Sequence, residues 1–148
     1  YYDQILWIKD IIYKNIDKNN KLEYVILIKR NKLRRLLNFE ELKKELLNFC
    51  KLVNLKLYIH DDNNLPSLRE QQNNFNKAKY VFAPHGAGGI HLPALRKECW
   101  YIEFLNKDIN ICYSRLAYLL DINYMGLNMK DHIIDIQKIK NIYKTIIT

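Results

Sequence analysis

The chain has 148 residues, 49% hydrophobic and 27% charged, with 24 basic against 16 acidic side chains and a net charge of +8. That is enough apolar material for one packed domain and argues against general disorder. No run approaches the ~20 apolar residues of a membrane span, and Tyr1-Tyr2-Asp3 lacks the basic opening of a signal peptide.

The elements alternate along the chain. Asp3 to Ile16 reads as a leading helix within residues 1–20. Leu22 to Lys29 is a continuous apolar run with β-branched residues, the mark of a strand buried on both faces. Phe39 to Val53 carries Leu42, Leu46, Leu47 and Phe49/Cys50 at helical spacing, with Asn38 at the N-cap. Leu55 to His60 is a second strand, and Asp61 to Pro66 a polar loop. Ser67-Leu68-Arg69-Glu70 fits a capping box that opens a helix to about Ala78. Lys79 to Ala83 is a third strand, Gly89 to Arg96 a short helix, and Cys99 to Leu105 a fourth strand. Asn110 to Leu120 is a helix, Tyr124 to Leu127 a fifth strand, and Asp135 to Ile147 a last helix. Strands separated by helices imply βαβ units and a mostly parallel, Rossmann-like α/β sheet with helices on both faces.

The positive charge favours anionic partners: nucleic acid, a membrane surface or a phosphorylated small molecule. Composition tempers it, because Ile, Lys and Asn make up 55 of the 148 residues and 18 of the 24 basic residues are Lys. Codons rich in A and T produce that bias without selection for binding, so the six Arg are more informative. Cys50, Cys99 and Cys112 are odd in number and lack metal-ligand spacing, so buried reduced thiols are expected.

Glycine is the most informative residue. Three of only four, Gly86, Gly88 and Gly89, fall in Pro84-His85-Gly86-Ala87-Gly88-Gly89. Glycine permits positive φ and close approach of a ligand to the backbone. The turn sits at the carboxyl end of a strand, where open α/β sheets bind ligands, and just before a helix whose free N–H groups suit a phosphate. The bland alternative is a tight connection only. A side chain at Gly88 is expected to abolish nucleotide binding at little cost to the fold, with the helix starting at about Gly89 or Ile90. The spacing is neither the dinucleotide fingerprint nor a Walker loop. No Gly-x-Ser-x-Gly elbow exists to support esterase chemistry.

Arg30, Arg34 and Arg35 follow the first strand, and guanidinium forks suit a diphosphate. Glu103 lies inside an apolar strand, where a carboxylate needs either a basic partner or a ligand hydroxyl. His60-Asp61-Asp62 reads as a polar loop rather than a metal site, and His132 has no pattern around it. Gln71 faces the sheet edge.

Taken in order, these pieces resemble glycosyltransferase family 61. The resemblance runs from Tyr24 to Tyr124 and rests on Ile28-Lys29-Arg30, Arg35-Leu36-Leu37-Asn38, Leu68-Arg69-Glu70-Gln71, Ala78, Pro84-His85-Gly86-Ala87-Gly88 and Tyr101-Ile102-Glu103. Gly89 and His91 depart from it, standing where the family has a large apolar residue and Asn. The resemblance implies the second, donor-binding half of a two-domain GT-B enzyme, so residues 1–148 are expected to form one nucleotide-sugar-binding domain of a longer chain. It implies inverting transfer from a UDP-sugar to a glycan or protein acceptor, with no metal or other cofactor. His85 and the turn, Gly86, Ala87, Gly88, Gly89 and His91, would hold the leaving diphosphate, with Arg30 and Arg35 neutralising it. Asn38 and Gln71 would complete the donor site, and Glu103 would bond ribose or sugar hydroxyls. The base that deprotonates the acceptor is expected on the other half. The rivals are a basic nucleic-acid-binding module, which predicts a stripe of Lys and Arg that this sequence does not concentrate, and an inactive glycosyltransferase-like binding domain.

Overall fold

The computed structural model describes residues 1–106 and 110–147. Five strands form one sheet: β1 (Tyr24–Lys29), β2 (Lys56–Asp61), β3 (Ala78–Pro84), β4 (Trp100–Leu105) and β5 (Asn123–Asn128). Their order is β2-β1-β3-β4-β5, and every neighbouring pair is parallel. Around the sheet lie α1 (Tyr2–Asn15), α2 (Phe39–Val53), α3 (Leu68–Asn76), a 3-10 helix (Ala87–Ala94), α4 (Cys112–Leu120) and α5 (Ile136–Ile146). This is the Rossmann-like α/β architecture expected from the sequence.

Strand side chains alternate between two cores. Val25 and Leu27 of β1 and Tyr80 and Phe82 of β3 face Leu42, Leu46 and Phe49 of α2 and Ile139 and Ile146 of α5. Ile26, Ile28, Val81 and Ala83 face the other way, onto Phe75 of α3, Leu92 of the 3-10 helix and Leu120 of α4. Both faces of β1 are therefore dry, which is why its sequence is an unbroken apolar run. The connection from β1 to β2 crosses one face through α2. The connections from β2 to β3 and from β3 to β4 run the opposite way along the sheet and cross the other face. A right-handed crossover rule requires this change of side.

The change of side creates a crevice. The chain leaves β1 toward α2 and leaves β3 toward the 3-10 helix, on opposite faces, so the ends of β1 and β3 form the topological switch point where such sheets take ligands. Arg30 follows one strand and His85 the other.

Several boundaries differ from the sequence reading. The short helix starts at Ala87, with Gly86 at its N-cap, and is 3-10 rather than α. Pro93 within it has no N–H to donate, which disfavours an α-helical ladder there. Ser67 caps α3 as expected, its Oγ accepting from the Glu70 N–H. Asn38 stands at the N-cap of α2 but does not cap it with its side chain. Cys50 and Cys99 are buried, whereas Cys112 is exposed, contrary to the expectation for all three. Burial pushes the Cys50 thiol up to about 11 and Cys99 to about 12, so both stay protonated and inert.

Candidate functional site at the switch point

Register places the site. Ala83 of β3 pairs with Glu103 of β4, and the His85 N–H donates to the Phe104 carbonyl at 3.0 Å. The Glu103 side chain projects to the same face as Tyr101, and its Oε1 lies 2.5 Å from Nδ1 of His85. Its Oε2 accepts from the Tyr124 hydroxyl of β5 at 2.6 Å. Gly126 is the β5 partner of Glu103, and the tightest neighbour a Cβ there would meet is Cδ1 of Leu105, at 2.9 Å. Glu103 is 0% exposed. A buried carboxyl survives only when its oxygens are engaged, and here both are. Burial, and then the bond to Glu103, push the Tyr124 hydroxyl's pKa above its ordinary value, which keeps it a donor. The sequence expected Glu103 to bond ribose or sugar hydroxyls. The structure instead sets it behind His85, where it fixes the imidazole through Nδ1 and leaves Nε2 as the remaining ring nitrogen.

The glycines of the turn make room for specific neighbours. Gly86 has φ +148°, and a Cβ on it would fall 1.5 Å from Nη1 of Arg30. That same Nη1 donates to the His85 carbonyl at 3.3 Å, so the guanidinium lies across the turn. A Cβ on Gly88 would stand 2.6 Å from Cδ1 of Ile28, and one on Gly89 2.3 Å from the Tyr113 ring. Tyr113 in turn packs beside the His85 ring, with centroids 5.3 Å apart. A side chain at Gly88 would have to displace that terminal methyl of Ile28. Ile28 belongs to the buried core but also borders a cavity, so the fold's cost depends on whether its terminal methyl can turn into that space.

The other predicted residues divide. Arg35 is exposed, and it is Arg34, with φ +61°, that borders a cavity of about 200 Å³ together with His85, Asn106, Asn110 and Met129. Asn38 ties α2 to the approach of α5: its Nδ2 donates to the Ile134 carbonyl and to Glu41, and its Oδ1 accepts from the Ile134 N–H. Those partners occupy both ends of the amide, so Asn38 serves the packing of the two helices. Gln71, Ala87, Gly88 and His91 line a second cavity of about 240 Å³ on the β2 side of Arg30. Gly89 is buried against Tyr113 and lines neither. Larger hollows, of about 540 Å³ near Arg96 and about 640 Å³ near Lys138, hold none of the predicted residues, although the second shares Met129 with the cavity beside His85. Size alone does not locate the chemistry. Asp61 is held by Lys29 and Asn31, and among the described residues no three His, Cys, Asp or Glu gather as a metal centre.

Sequence reasoning missed Tyr113 and Tyr124, and it read His60 as part of a polar loop whereas the residue is buried at the end of β2. Their neighbours come from register and crossover and leave no local pattern. His91 stacks on Phe75 with centroids 4.3 Å apart, and His60 meets both rings edge-on. Burial, and then His60, lower the His91 pKa from 6.5 to about 4. An unfolded chain takes up the proton at higher pH than the folded one, so this histidine's full contribution is present above pH 6.5 and is lost as pH falls toward 4. Stability is expected to drop across that window by up to roughly 3 kcal/mol. Urea midpoints against pH should show a flatter profile in His91→Phe; an unchanged slope would place the titration elsewhere.

No curated protein matches this chain. The family model described as Glycosyltransferase 61 matches residues 1–102, from α1 through the glycine turn to the residue before Glu103. More than two-thirds of the chain is covered, including Arg30, His85 and the turn at the switch point, and the chain belongs to glycosyltransferase family 61.

Proposed function

We propose that this chain is the donor-binding domain of an inverting glycosyltransferase that moves a sugar from a UDP-sugar to a hydroxyl of a glycan or protein, working with a second Rossmann-like half. The meeting of Arg30, the glycine turn and the Glu103-backed His85 at one switch point carries the reading. As the anomeric bond to the diphosphate breaks, negative charge grows on the leaving oxygens. The first N–H groups of the 3-10 helix, at Ala87 and Gly88, precede its hydrogen-bond ladder and are free to meet that charge. Arg30 lies across the same turn, and Arg34 stands beside His85. His85 presents Nε2 while Glu103 fixes the ring from behind through Nδ1. Fixed charges aimed at the leaving group do the work a metal ion does elsewhere. The base that takes the acceptor's proton is assigned to the other half.

Calorimetry with UDP, ADP and GDP tests the donor site. UDP should bind best, and binding should persist in EDTA. Arg30→Ala should weaken UDP by ~1.5–3 kcal/mol, the range for a hydrogen bond to a charged group. Equal or absent binding of the three nucleotides removes the donor-site assignment. A strict need for Mg²⁺ or Mn²⁺ counts against the metal-free mechanism and returns attention to Asp61 and Asp62.

A further inference from the structure

The cavity of about 540 Å³ near Arg96 lies at the opposite edge of the sheet from the switch point. Its lining residues Asn20, Asn76 and Arg96 precede β1, β3 and β4, whereas Arg30 and His85 follow strands. One wall is α1, whose core-facing stripe runs through Ile5, Ile12, Tyr13 and Ile16. Lys9 falls in the middle of that stripe, four residues from Ile5 and four from Tyr13. A charge on a packing face needs a partner. Lys9 is half-buried, yet among the described residues no carboxylate forms an ion pair with it. Its ammonium lies 5.5 Å from the centroid of the Tyr13 ring. Burial, and then the neighbouring Lys97 ammonium, lower its pKa.

Arg96 is held in place without being neutralised. Its Nη2 donates to the Asn20 carbonyl and, at 3.5 Å, to Oδ1 of Asn76. Asn76 is 3% exposed and is itself fixed, its Nδ2 donating to the Ala94 carbonyl at 3.0 Å. Both acceptors are uncharged, and Nε and Nη1 of Arg96 have no partner among the described residues. A guanidinium pinned at one corner with its other N–H groups free is set to receive an oxyanion. Lys18 lines the same cavity and also lacks an ion-paired carboxylate among the described residues, whereas Lys97 is matched by Asp121 at 3.2 Å. Asp17 and Glu98, on the same lining, pair with none of these cations and are acceptors suited to hydroxyl groups. The volume falls within the roughly 300–1,000 Å³ of small-molecule sites, so a phosphate group alone fills only part of it.

We propose that this cavity is a second ligand site, for a phosphorylated and hydroxylated small molecule of sugar-phosphate size, with Lys9, Lys18 and Arg96 on the phosphate and Asp17 and Glu98 on hydroxyls. None of the residues placed on the diphosphate lines it, so the site stands whether or not the donor reading does. Glucose 6-phosphate, glucose and inorganic phosphate are titrated by calorimetry into the wild-type protein and into Lys9→Met, Lys18→Gln and Arg30→Ala. Ionic strength is held constant so that screening is equal throughout. Lys9→Met removes the charge and leaves an apolar chain on the packing stripe of α1. Lys18 is exposed, so Lys18→Gln does not disturb the core. Glucose 6-phosphate should bind the wild-type protein saturably, and more tightly than glucose or inorganic phosphate. Lys9→Met should weaken it about tenfold, the equivalent of one hydrogen bond to a charged group. Lys18→Gln should weaken it about two- to fivefold, as loss of an exposed ion pair does, and Arg30→Ala should leave it unchanged. Absence of saturable binding to the wild-type protein overturns the site, as does an affinity unaltered in both lysine variants. A loss in Arg30→Ala with the lysine variants unaffected moves the ligand to the switch point and overturns it as well. Inorganic phosphate binding as tightly as glucose 6-phosphate overturns the ligand class, because the hydroxyls then contribute nothing.

Discussion

Replacing His85 with alanine is expected to slow sugar transfer by about 10²–10³-fold, the usual contribution of one preorganised group aimed at charge that develops in the transition state, while UDP affinity changes only a few-fold. The expectation follows from how the imidazole is held. Its Nδ1 is fixed on a fully buried carboxyl group, its backbone N–H on the Phe104 carbonyl, and its backbone carbonyl on Arg30. The last two survive the substitution, so the turn and Arg30 should keep their places and continue to bind the ground-state diphosphate. What disappears is an imidazole aimed at oxygens that become more negative only in the transition state, and such a loss shows in kcat rather than KM. If His85 merely anchors the loop, melting temperature and UDP affinity should fall together in His85→Ala, with no separate effect on kcat. That outcome would withdraw the catalytic role and leave the turn as a binding element.

The order of elements was legible in the sequence because each strand needed only its own pattern. Val25 to Ile28 reads as a buried strand wherever it sits, and the sheet confirms it by covering both faces. Ends were less legible, since hydrogen bonds to neighbours set them. β3 extends through Pro84 because its register with β4 continues to Phe104. The glycine turn was legible for a different reason: a chain with four glycines had placed three together. Partners were not legible. The reading that Glu103 needs a basic partner or a ligand was sound chemistry, but the identity of that partner depends on β3 and β4 lying side by side. Tyr124 reaches the same carboxyl only because β5 is the next strand over. Asn38 likewise finds Ile134 across 96 positions of chain. For the same reason the sequence, which offered Arg30, Arg34 and Arg35 together, could not say that Arg34 would border the cavity beside His85: neighbours in a loop differ in direction, and direction is set by backbone dihedrals that the residue types do not disclose.

Glu103→Ala should be the most destabilising substitution at the site. It leaves the His85 Nδ1 and the Tyr124 hydroxyl without their acceptor in a place water does not reach. Removing one member of a buried pair costs about 3–5 kcal/mol, most of it the desolvation of what is left behind. Glu103→Gln keeps the shape and one acceptor oxygen but faces one of its two donors with an NH₂ group. Its cost should be smaller, about 1–3 kcal/mol for a single mismatched buried group. Tyr124→Phe removes a donor and leaves Oε2 with one partner fewer, so it should also fall in that lower range. Because the phenol and the imidazole share one carboxyl, their effects should not add. A double-mutant cycle of Tyr124→Phe and His85→Ala should show coupling of about 0.5–3 kcal/mol, as neighbours in one network do. Urea unfolding of the five variants measures all of this. If Glu103→Ala costs under about 1 kcal/mol and the cycle closes additively, the carboxyl does not hold the site together, and His85 has no fixed orientation from which to act on the diphosphate.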